Sequence, residues 1–143
     1  MRTIKFRGRG INNGQWFFGD LMRDKGSVGI WHETATGYKV EIVDPATVGQ
    51  FTGLLDLAGK EIYDGDILNW YLEDNTTNGI AMTVVFLDDC AMYGFTFGVA
   101  AFDTFETYLE FGEVGKQFKI IGNIHEGVND DESERAKESR VRF

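Results

Sequence analysis

The chain has one cysteine, Cys90, and one proline, Pro45, in 143 residues. A lone cysteine excludes a disulfide framework and the usual thiolate zinc sites. Bases are scarce as well: 14 Lys and Arg against 23 Asp and Glu leave a net charge of −9. That balance argues against nucleic acid or an anionic membrane as partner, because both need a basic surface that displaces counterions. The one basic patch is Arg2, Lys5, Arg7 and Arg9. No run approaches the roughly 18 apolar residues of a membrane-spanning helix. Residues 1–9 lack the apolar stretch of a signal peptide, so a cytoplasmic protein is expected.

Catalytic patterns are equally thin. His32 and His125 each precede a glutamate, and neighbours on a strand point to opposite faces, which is poor chelation geometry. Asp64 with Asp66, and Asp88 with Asp89, have the spacing of turn residues at strand ends. Cys90 follows two aspartates, which work against a thiolate nucleophile. No G-x-x-x-x-G-K-[ST] phosphate loop is present. The expectation is a protein that is not an enzyme, with no catalytic, cofactor or metal residues.

What the chain does hold is 43% hydrophobic residues, 14% aromatics and 18 glycines. That composition builds one domain's worth of core and excludes disorder over the whole length. Short alternating segments dominate. Tyr38, Val40 and Ile42 alternate with Lys39 and Glu41, the pattern of a half-buried strand that Pro45 then ends. Residues 61–63, 67–72, 93–97 and 118–124 read as strands. Residues 80–87 are apolar on both faces, so that strand is central or covered. Residues 23–37 have no clean period and read as a long loop or ragged hairpin. Residues 102–111 fit either a strand or a helix; the reading leans to a short helix capped by Asp103. Residues 129–142 carry five acids and four bases with two apolar residues, the composition of a frayed helix or flexible tail.

Many short strands with glycine turns point to a mainly β fold: a small SH3-like barrel or roll with at most one or two short helices. The expected organisation is an N-terminal β segment over 1–45 forming a hairpin layer on a barrel over 46–127, then a charged tail over 128–143. The adjacent aromatics Trp16, Phe17 and Phe18, and Trp70 with Tyr71, cannot all enter one core. Either they mark an interface or the N-terminal layer covers them.

Residues 44–54, followed by Asp56, Gly59-Lys60-Glu61-Ile62-Tyr63-Asp64-Gly65-Asp66-Ile67-Leu68, closely resemble the signature of the YopX family. The opening Ile4-Lys5-Phe6-Arg7-Gly8, Trp16 with Gly19, and the closing Ile120-Ile121-Gly122-Asn123-Ile124-His125-Glu126 resemble the same family. The resemblance implies a bacteriophage or prophage origin, a bacterial cytoplasm, an SH3-type barrel and a homo-oligomer. It transfers no activity. Within the motif, Gly49, Gly53, Gly59 and Gly65 suit turns or close backbone approach. Val48, Phe51, Leu54, Ile62, Ile67 and Leu68 supply core, and Gln50, Thr52, Asp64 and Asp66 are polar at turns. With Gly122 and Asn123 these residues read as a structural corner or an interaction surface. The functional expectation is an accessory protein working through protein–protein contacts, with itself or with another phage or host protein. A nucleic-acid adaptor using the barrel face is the alternative.

Overall fold

The computed structural model describes residues 3–71, 81–88, 91–97, 101–104 and 118–128, with 97 and 101–104 by backbone alone. Two compact units divide the chain, Met1–Gly53 and Leu54–Phe143. The first carries β1 (Phe6–Arg9), β2 (Trp16–Asp24), β3 (Ser27–Thr34), β4 (Gly37–Val43) and the start of β5 (Gly49–Leu55). The second carries β6 (Glu61–Tyr63), β7 (Asp66–Trp70), β8 (Met82–Leu87), β9 (Met92–Phe97), β10 (Ala101–Thr104), β11 (Phe118–Asn123) and β12 (Gly127–Val128).

The strands form two antiparallel sheets, ordered β4-β3-β2-β1-β5-β6 and β10-β9-β8-β7-β11-β12. A closed barrel needs its first and last strands paired along their length. The end strands are β4 and β6 in the first sheet and β10 and β12 in the second, and no ladder joins either pair among the described residues; the end of β1 meets β4 through the bridge Gly10–Val43. The mainly β expectation therefore holds in the coarser form of two open sheets.

In the first unit, β2 turns into β3 through Lys25 and Gly26, with φ of 47° and 86°. Two consecutive left-handed residues match the right-handed twist of the flanking strands, and Asp24 faces Ser27. Much of the stretch 23–37 is thus a regular hairpin, not a loop. At the end of β4, Asp44 Oδ1 accepts the Ala46 N–H at 3.0 Å and caps the 3-10 turn Pro45–Thr47. Alternation places Val28, Ile30 and Val43 on one sheet face, where Ile30 and Val43 are wholly buried. Gly8 lies against them: a Cβ there would sit 2.7 Å from Val43 Cγ2. The strand 38–43 forms as expected, but its burial is reversed. Tyr38, Val40 and Ile42 are 70%, 42% and 48% exposed, because they occupy the other face.

The second unit is built around Ile62, Leu68, Met82, Val84, Phe95 and Phe118, with Leu54, Trp70, Tyr93 and Ile120 against them. Each such aliphatic or phenyl side chain contributes about 1.5–3 kcal/mol on full burial. Apolar on both faces, β8 lies between β7 and β9. Residues 101–104 are a strand, with Asp103 opposite Phe95. Asp103 is therefore no helix cap: pairing with β9 overrides the helical spacing of Phe102. Residues 105–111, Asp89, Cys90 and the tail 129–143 lie outside the described residues.

Candidate contact surface

The motif residues 56–66 and 118–127 are tied together by backbone hydrogen bonds. Asp56 is 3% exposed. Its Oδ1 accepts the N–H groups of Ala58 (2.9 Å) and Lys60 (2.8 Å), closing the β5–β6 turn in which Gly59 takes φ +81°. Its Oδ2 accepts the Ile120 N–H at 3.0 Å, across 64 residues of sequence. Leu57 N–H donates to Phe118 O at 2.7 Å beside it. Asp66, 1% exposed, accepts the Tyr63 N–H at 2.7 Å. Gly65, at φ +91°, donates to Val84 O and accepts from Ile124 N–H, both at 2.9 Å. Gly122 abuts the Gly127 carbonyl, leaving no room for a Cβ. Asn123 Oδ1 accepts the N–H groups of His125 and Glu126.

The earlier part of the motif lies along β5 and its approach. Val48 N–H donates to Pro45 O. Gly49 and Gln50 pair with Arg7 and Phe6. Thr52 precedes Gly53, which takes φ +90°. Ile62 and Tyr63 are buried. Placed this way, the buried motif carboxylates engage backbone N–H groups.

Of the aromatics singled out from sequence, Phe18 is exposed and Trp16, Phe17, Trp70 and Tyr71 are partly buried. Trp16 is half-buried under the Arg7 guanidinium, 4.9 Å from its ring centroid. Phe17 packs against His32 at 5.3 Å. Trp70 lies against the second unit's core, and Tyr71 lies 6.0 Å from Lys119 Nζ. Phe18 belongs to a larger exposed apolar surface. Register partners share a sheet face, and these pairings put Asp20, Trp31 and Val40 in one row. Met22, Gly29 and Ile42 form the next row, and Glu33 lies beside Tyr38. Phe18, two residues before Asp20, is on this face too. Phe18, Met22, Trp31, Tyr38, Val40 and Ile42 are each 41–70% exposed. Trp31 and Tyr38 meet edge-to-face, 5.1 Å apart at 65°. Sequence reasoning missed Trp31 because it lies in the stretch without clean periodicity.

The opposite face of the same strands is polar at its edge. Lys39 Nζ lies 3.1 Å from Glu41 Oε1 and His32 Nε2 lies 3.6 Å from it. The hydrogen bond from Lys39 holds the Glu41 carboxyl below the usual carboxylate range. Partial desolvation opposes this, and the Lys39 charge and His32 add to the lowering. His32 and Glu33 fall on opposite faces, and among the described residues no group of three or more His, Cys, Asp or Glu could hold a metal. No helix among them is long and apolar enough to cross a membrane.

Comparison with known proteins agrees with this architecture. Protein EF1440 from Enterococcus faecalis, a crystal structure, superposes with a TM-score of 0.51 at 18% sequence identity. The alignment covers 87% of this chain and 95% of that one. At that identity the likeness concerns fold alone. None of the curated proteins compared matches the chain. The family model described as YopX protein matches residues 5–129, a span that contains the opening strand, the Asp56–Asp66 corner and the Gly122–Asn123 closure. The chain belongs to the YopX family.

Proposed function

We propose that this chain is a non-enzymatic phage or prophage protein that acts in the bacterial cytoplasm through protein–protein contacts at the β2–β3–β4 face. The observation that carries the reading is the concentration of six large, exposed apolar side chains on one face of three adjacent strands. Single chains rarely leave such a patch uncovered without a partner for it. The non-enzymatic part is supported by the motif carboxylates Asp56 and Asp66, which are buried and engaged with backbone N–H groups. We read the first sheet, with its Gly10–Val43 bridge, as a partly closed roll of the SH3-like kind.

Self-association is the simplest form of this function, and closed symmetry its default. The homo-oligomer is tested by light scattering across the micromolar range at low and high salt. Self-association through this face predicts a mass above the 16.1 kDa of one chain, rising with salt as acidic rims are screened. A mass of one chain throughout overturns the oligomer. The nucleic-acid adaptor is disfavoured by Asp20, Asp24 and Glu33 on this face, which repel phosphate.

A further inference from the structure

Resting on the contact reading of the β2–β3–β4 face, we propose that this face docks a segment of another protein that carries Lys or Arg between apolar side chains. Charge points to the basic component. Across β2, β3 and β4 the face holds three carboxylates, Asp20, Asp24 and Glu33, and no base. The bases sharing this face are Arg7 and Arg9 on β1. Arg7 is 7% exposed and stacked on Trp16, and Arg9 Nε donates to Gly14 O at 3.0 Å. Neither Asp20 nor Glu33 is ion-paired among the described residues.

Geometry places the cation. Asp20 is the register partner of Trp31, and Glu33 that of Tyr38. The two rings meet edge-to-face at 5.1 Å, so two π surfaces and two carboxylates converge on a small area. An ammonium or guanidinium over an aromatic face, next to a carboxylate, gains from both the ring quadrupole and the charge. Met22, Val40 and Ile42 supply the apolar ground on which the flanking residues of such a segment rest.

Charge favours a basic segment over a second copy as the occupant. The six side chains leave on the order of 500 Å² of apolar surface open, enough to seat a segment. A second copy applied face to face would bring the same carboxylates together.

The test uses the full chain and two synthetic capped peptides, one alternating Lys with Val and one alternating Glu with Val, followed by amide chemical shifts at low and high salt. The Lys–Val peptide is expected to shift resonances on β2, β3 and β4, with affinity falling as salt rises; the Glu–Val peptide is expected to leave them unmoved. Asp20→Asn with Glu33→Gln should weaken binding about tenfold. Asp20→Lys with Glu33→Lys should invert the preference toward the Glu–Val peptide, and the dispersed amide spectrum of each variant checks its fold. No shift with the Lys–Val peptide, equal binding of both peptides, or indifference to these substitutions overturns the proposal. Self-association that shields Trp31 and Tyr38 also overturns it, while leaving the contact function of the face standing.

Discussion

Asp56→Ala removes a side chain that joins the β5–β6 turn to β11. Three backbone N–H groups lose their acceptor: those of Ala58, Lys60 and Ile120. Ala58 and Lys60 are exposed, so water replaces the carboxylate there and each loss costs about 0.5–1 kcal/mol. Ile120 is partly buried in β11, and its orphaned N–H costs about 1–3 kcal/mol. The expected destabilisation is therefore about 2–5 kcal/mol, or at least about 8 °C in melting temperature for a unit of this size. Asp56→Asn offers a graded control. It keeps an oxygen for Ala58 and Lys60 but turns an amide NH₂ toward the Ile120 N–H, so about 1–2 kcal/mol should be lost. With two compact units in the chain, the readout must be local. Urea titration followed through methyl resonances of Leu68, Val84 and Ile121 reports on the second unit. A cost below about 1 kcal/mol for Asp56→Ala, or an Asn variant weaker than the Ala variant, would refute the structural role of this carboxylate.

Gly65→Val forces a β-branched residue into φ +91° and should cost at least about 1–2 kcal/mol by urea titration; a near-neutral result would mean the left-handed turn is not required. Glu41 should titrate below the ordinary carboxylate range, and Lys39→Ala should raise its midpoint toward that range in an NMR pH titration. Because the folded-state pKa is the lowered one, this interaction supports the fold above the ordinary Glu range and is lost as pH falls through the folded value. An unmoved midpoint in Lys39→Ala would remove Lys39 as the cause. A chain ending after Val128 should melt within about 5 °C of the full chain, since residues 129–143 offer so little apolar surface to bury; a larger drop would show that segment to be docked.

The corner around Asp56–Asp66 was legible because turn chemistry is local. Gly59 and Gly65 announce left-handed backbone, Pro45 announces the end of a strand, and all three occur where the sequence indicates. The Oδ2 bond from Asp56 to Ile120 was not legible, since nothing in the sequence marks a partner 64 residues away. The alternation at Tyr38, Val40 and Ile42 showed that these residues share a face. It could not show which face meets the core, and the choice was made by Val28, Ile30 and Val43. Residues 102–111 fit both periods, and the lean to a helix rests on Phe102, Phe105 and Leu109; the pairing of Asp103 with Phe95 is a tertiary fact that local spacing does not contain. The contact face itself was hidden because Trp31 and Glu33 lie on β3, where Gly29 and His32 blur the alternation.

The most direct test of the contact reading is hydroxyl-radical footprinting of the chain, dilute and purified on one hand and inside bacterial cells on the other. Phe18, Met22, Trp31 and Tyr38 should be readily oxidised in the purified chain and protected in the cell, while Leu57 and Ile124, which are also exposed, should react alike in both. Equal oxidation of the β2–β3–β4 face in the two settings would contradict the account.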